Sequence, residues 1–146
     1  MVKYHKYPII QYKVTTKDGY ILTLFRIPAS KDSSITQSLK EATKKKSVLM
    51  VHGILSDTVS FIINGPEKPN KAIAYQLVDE GNYDVWLLNT RGSIYSREHS
   101  WMDPDSDEQF WNYSFEEVGD YDIMAAMDFI KLKKPNEEKI DFVSYS

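Results

Sequence analysis

The chain has 146 residues, 42% hydrophobic and 13% aromatic, with a formal net charge of −3. That is enough apolar chain to build a domain with a core, and it excludes a disordered segment or a nucleic-acid binder that works by net positive charge. Cysteine is absent, which excludes disulfides and thiolate metal sites, and no apolar run is long enough for a transmembrane segment. The opening MVKYHKYPIIQ contains no apolar signal-peptide core.

Two strands are expected first, IIQYKVTT (Ile9 to Thr16) and YILTLFRI (Tyr20 to Ile27), rich in β-branched and aromatic residues. Lys17-Asp18-Gly19 joins them. Asp-Gly tolerates the positive φ of a tight turn, so the pair reads as an antiparallel hairpin that Pro28 ends. Ala29 to Ser47 is polar and lacks a strong apolar period; it reads as a long surface loop with at most a weak helical turn, and its Lys44-Lys45-Lys46 run as a solvated patch. SVLMVH (Ser47 to His52) is near-continuously apolar, as suits a strand buried on both faces.

KAIAYQLVDE (Lys71 to Glu80) reads as a helix capped by Asn70 and Gly81, with Ile73, Ala74, Leu77 and Val78 as its apolar stripe. YDVWLL (Tyr83 to Leu88) is the next strand. From Asn89 to Phe115 the chain is loop-like, with Trp101, Phe110 and Trp111 spaced through it; at least half of these aromatics should pack into the core. A long helix follows from Ser114 to Lys134, opened by a Ser114/Glu117 capping box. Its stripe is Val118, Tyr121, Ala125, Phe129 and Leu132, Lys131, Lys133 and Lys134 suit its C-terminal dipole, and Pro135 closes it. Lys139 to Val143 is the last strand. Strands alternating with helices after a hairpin predict an α/β fold: a mostly parallel sheet, opened by an antiparallel hairpin, with helices on both faces.

Sites in such sheets lie at the carboxyl ends of the strands. Three ends are visible: His52-Gly53, Asn89 to Gly92, and Ser144-Tyr145-Ser146. A strand running into His-Gly suits an oxyanion hole, because glycine lets the chain turn sharply and aim a following N–H into a cavity. Small-x-Ser after a strand is the first half of the nucleophile elbow G-x-S-x-G. Each is a weak signal by itself; an ordinary strand exit and an ordinary terminus compete with them. Together they occur in the order, one βα unit apart, that brings an oxyanion loop and a nucleophile to the top of one sheet.

Several longer segments make the pattern specific: YPIIQYKVTTKDGYILTLFRIP, VLMVHGILSD, LVDEGNYDVWLLNTRGSIYSREH, FWNYSFEEVGDYDIMAAMDFI and KIDFVSYS. From about Tyr7 onward the chain resembles the N-terminal part of the acid lipase family, the gastric and lysosomal acid lipases and their relatives, which have an α/β-hydrolase fold. The resemblance implies that residues 1–146 are a partial lipase domain that ends at the nucleophile elbow. It places the nucleophile at Ser146 and one oxyanion-hole backbone N–H at Ile54, with His52 and Gly53 supporting that loop. The second donor and the catalytic Asp and His of the family come after Ser146. It implies a carboxylic-ester hydrolase acting on neutral lipid esters, acylglycerols or sterol esters, at a lipid–water interface, with no metal or organic cofactor, in a lysosomal or extracellular setting. The chain alone would be inactive. Ser144-Tyr145-Ser146 departs from the family's usual Gly-His-Ser, and a second reading stays open: a non-catalytic α/β-hydrolase-like binding or structural subunit.

Other residues have plainer expectations. His52, with only His5 and His99 for company, has no metal-ligand spacing. Arg91 is expected to tie its loop to a nearby acid. Asp141 is close to Ser146 in sequence, but lies on the strand where it cannot orient a catalytic histidine. Asn112-Tyr113-Ser114 is an N-glycosylation sequon, usable only in the secretory pathway.

Overall fold

A computed structural model describes residues 1–67 and 71–146. Five strands form one sheet in the order β1-β2-β4-β3-β5: β1 Ile10–Thr15, β2 Ile21–Ile27, β3 Lys46–Val51, β4 Tyr83–Asn89 and β5 Asp141–Ser144. β1 and β2 form the expected antiparallel hairpin, in register from Ile10↔Arg26 to Thr15↔Ile21. Gly19 takes the positive φ of its turn (+98°). β2 pairs antiparallel with β4, and β3 lies parallel to β4 and β5. The three exits named above therefore open at one end of the sheet.

The near-continuous apolar runs of β3 and β4 have a simple cause: both faces of the sheet are covered. On one face Val48, Met50, Val85 and Leu87 pack on Ala74, Tyr75 and Val78 of helix α2 (Ile73–Asp79). On the other, Leu49, Val51, Trp86 and Leu88 pack on Ala126 and Ile130 of helix α4 (Met124–Lys133). Side chains alternate between faces with period two, so a strand between two helical layers has no solvent-facing position.

The base of the sheet holds a buried charge network. Asp84 accepts from Arg26 Nε and Nη2, each at 2.8 Å, and from Trp86 Nε1 at 3.1 Å. Arg26 also lies 4.5 Å over the Trp86 ring. Lys134, expected to serve only the helix dipole, is buried instead: its Nζ donates to Lys45 O and Ser47 Oγ and stands 3.1 Å from Glu137. It fastens the end of α4 to the start of β3.

Three expectations are corrected. The polar stretch after the hairpin is not all loop: Ile35–Ala42 forms helix α1, capped by the Ser34 side chain on Gln37 N, with Ala42 fully buried. Of its residues only Ser38 and Ala42 are buried, too few apolar positions to stand out in the sequence. The long helix does not run evenly. Its capping box forms as expected and opens helix α3 (Phe115–Glu117), but Val118–Ile123 is a π-helical segment before α4 resumes. The wide turn shifts the inward face to Asp122, Ala126 and Ile130, and leaves Leu132 exposed. Of the loop aromatics, Phe110 is fully buried while Trp101 and Trp111 are exposed. The proposed cap Asn70 lies outside the described residues; α2 begins after Ala72, with no side-chain cap.

Candidate active site

The end of β5 and the end of β3 are in direct contact. β5 leaves the sheet at Ser144, beside Val51 in parallel register. Two residues on, Ser146 has φ = +64°. A side chain with a β-carbon rarely enters that left-handed region, at a cost of about 1–2 kcal/mol. The serine itself is exposed, just past the end of a parallel strand.

Gly53 packs against this turn. A β-carbon at Gly53 would come 2.8 Å from Ser146 Cβ, 2.9 Å from Tyr145 Cε2 and 3.1 Å from Tyr145 O. Glycine is required here for close approach rather than for its φ. Gly53→Ala is therefore expected to push the two strand exits apart and to cost about 1–3 kcal/mol, the usual penalty for overpacking. Urea unfolding measures it; a variant as stable as the parent would show that the two turns do not touch.

His52 is buried beneath the same loop, and its two ring nitrogens are both used. Thr90 N–H donates to Nε2 (3.2 Å), so the lone pair sits there and Nδ1–H donates to Gly53 O (2.8 Å). In a planar trans peptide C=O and N–H point opposite ways. With the Gly53 carbonyl held by His52, the Ile54 N–H faces away from the ring, and among the described residues it finds no acceptor. The arrangement is a free, directed N–H beside a serine held in a strained conformation.

Beyond Ile54 the loop is bare. Ile54 is 61% exposed, and Leu55, with φ = +56°, is fully exposed. The loop is secured again at Asp57, whose carboxylate caps a 3₁₀ turn (Thr58–Phe61) at Val59 N, and at Thr58, whose N–H and hydroxyl both reach Asn89 Oδ1. Asn89 ends β4, so one side chain ties the exits of β3 and β4 together.

Arg91 has the tying role expected from sequence, with two acids rather than one. Its guanidinium forks onto Asp18 (2.7 and 3.1 Å) in the hairpin turn and meets Asp122 (2.9 and 2.7 Å) in the π segment, while its backbone N–H reaches Asp122 at 2.8 Å. It lies 3.9 Å over the Tyr20 ring. Burial raises the Asp18 carboxyl less than the bonds from Arg91 and Thr16 lower it, so it sits below its ordinary value. Asp122 is enclosed on every side, and burial pushes its carboxyl up despite Arg91. Sequence inspection did not single out Asp122; an acid at a core-facing position of an apolar helix was the available signal. Asp141 is committed to Lys46 (2.6 Å) and the Tyr83 hydroxyl (2.9 Å), away from Ser146. Among the described residues no group of three metal-ligating side chains gathers.

The chain is similar to known proteins in sequence and fold. A family model described as a partial alpha/beta-hydrolase lipase region matches residues 1–65. Over all of its 146 residues the chain is 40% identical to a gastric triacylglycerol lipase of Rattus norvegicus and 39% identical to that of Homo sapiens, covering 34% of each. It thus spans about a third of the length of the curated relatives it matches. Among solved structures, an esterase of Pyrococcus furiosus superposes on 99% of this chain and 45% of its own, with a TM-score of 0.59 at 16% identity, a likeness of fold.

Proposed function

We propose that this chain is the N-terminal part of an acid-lipase α/β-hydrolase fold, and that the protein it builds is a serine carboxylic-ester hydrolase acting on acylglycerols or sterol esters. The observation that carries this reading is Ser146, left-handed at the end of β5 and packed on Gly53. The Ser146 hydroxyl attacks the ester carbonyl carbon and passes its proton to a histidine. The carbonyl oxygen becomes an oxyanion that accepts a hydrogen bond from Ile54 N–H. Collapse expels the alcohol, which takes up the proton, and water then hydrolyses the acyl-serine.

His52 and Gly53 serve this chemistry by aiming the Ile54 N–H. The reaction needs no metal or organic cofactor. The base is not one of the described histidines: His52 spends its nitrogens on Gly53 O and the Thr90 N–H, His99 on Asp18 O and the Trp101 and Met102 amides, and His5 rests against Tyr75. We assign the base, its orienting acid and the second oxyanion donor to chain following Ser146, as in the family the chain resembles. Residues 1–146 then form a partial lipase domain. The gastric relatives favour a lysosomal or extracellular setting, with substrate met at a lipid–water interface. A non-catalytic subunit accounts less well for the site, since a binding surface gains nothing from a serine kept in a costly conformation.

A p-nitrophenyl alkylphosphonate tests the assignment. The whole protein should be labelled once, with the phosphonyl group on Ser146 by peptide mass spectrometry and hydrolysis lost in proportion. The present chain alone should not turn over p-nitrophenyl butyrate. Labelling at another residue, or full turnover by this chain, overturns the reading.

A further inference from the structure

The residue before the nucleophile does something its position alone does not require. Tyr145 turns its ring back across the oxyanion loop: Cε2 lies against Gly53, the ring meets Phe61 edge-on at 5.5 Å, and its hydroxyl is 2.8 Å from Ser56 Oγ. Ser56 directly follows the exposed Ile54-Leu55 turn. That turn is held before its apex by His52 on Gly53. After it, Asp57 and Thr58 fasten the chain to its own 3₁₀ turn and to β4, but neither spans to the strand that carries Ser146. The Tyr145 hydroxyl does span it. We propose that Tyr145 is a positioning residue of the oxyanion hole, a latch through Ser56 that fixes the distance between the Ile54 N–H and the Ser146 hydroxyl.

The physical case is one of leverage. Leu55 has no cover and a left-handed backbone, so packing does not hold the apex. A donor contributes to catalysis only while aimed at the site where negative charge develops, and that requires a fixed frame. The nucleophile and the donor sit on different strand exits, joined by the contact at Gly53 and by this hydroxyl pair. Remove the hydroxyl and the ring still fills the space against Phe61 and Gly53, but the far side of the turn is no longer tied to the elbow.

The inference rests on the hydrolase reading, and its test separates the two. In the whole protein, Tyr145→Phe keeps the ring and removes the latch. It should lower kcat on a short-chain p-nitrophenyl ester by about ten- to a hundredfold, part of what a whole oxyanion donor contributes, with KM within about twofold. Ser56→Ala should act in the same direction but less strongly, since Ser60 also reaches the Tyr145 hydroxyl, and the double variant should lose no more than Tyr145→Phe. Backbone 15N order parameters across Ile54–Ser56 should fall in both variants while those in β3 and β4 stay unchanged. Unchanged kcat and order parameters in Tyr145→Phe, or losses that multiply in the double variant, would overturn the latch. If the unsubstituted whole protein hydrolyses no ester, the functional reading fails instead, and the order parameters alone decide whether the latch exists.

Discussion

Ser146→Ala is expected to reduce ester hydrolysis by the whole protein about 10⁴- to 10⁶-fold, the range for loss of a serine nucleophile, and to leave its unfolding midpoint nearly where it was. Alanine keeps the β-carbon, so it inherits the left-handed strain without the hydroxyl. Ser146→Gly makes the complementary case. Glycine enters φ = +64° freely, so this variant should be equally inactive yet more stable, by about 1 kcal/mol. A rise in stability together with loss of activity marks strain maintained for function rather than tolerated by accident. Hydrolysis of a tributyrin emulsion in a pH-stat, beside urea unfolding of the three forms, provides both readouts. Ser146→Ala retaining activity within about tenfold would remove Ser146 from the nucleophile role.

The largest stability effect should come from Arg91. Arg91→Met strands Asp122, fully buried, with no cation, and should cost about 3–5 kcal/mol, the usual price of leaving one partner of a buried pair. Lysine should not rescue it. A single ammonium cannot serve Asp18 and Asp122 at once in the forked geometry seen here. Arg91→Met combined with Asp122→Leu should recover much of the loss, because the unpaired buried charge goes with its partner.

The pH dependence should change, because Asp18 and Asp122 pull in opposite directions in the parent and only Asp122 remains to act in the variant. In the parent, Asp18 is depressed, so its contribution is present above the unfolded carboxyl value of about 4 and fades as pH falls through the folded one. In Arg91→Met that contribution is gone, and Asp122, already pushed up by burial, rises further. The native state then holds a proton that the unfolded chain has released. Stability should fall as pH rises above about 4, until Asp122 ionises in the fold. Urea midpoints from pH 4 to 8 read this directly; identical profiles for parent and variant would show that Arg91 does not carry Asp122.

Local signals made much of the fold legible. The Asp-Gly turn between two alternating runs specified the hairpin, and the apolar runs of β3 and β4 specified strands covered on both faces, because a strand with a solvent face would have carried polar residues. The Ser114/Glu117 box opened its helix as expected, since both of its bonds lie within four residues. The wide turn after it was not legible. It answers to Arg91, far away in sequence, whose guanidinium Asp122 must reach. Helix α1 escaped notice for the opposite reason, since its docking rests on very few buried side chains.

At the site the division is similar. Strand ends drew attention to His52, Gly53 and Ser146 only weakly, and it was the resemblance to the acid lipases that implied their roles and that of Ile54. What tertiary structure alone decided is how close they come. The parallel register of β3 with β5 brings Gly53 within van der Waals contact of the Ser146 turn, Thr90 fixes the tautomer of His52, and Tyr145 reaches Ser56 across the gap. Those contacts join residues dozens of positions apart. Only the sheet, by setting which strands are neighbours and in what register, determines whether they meet.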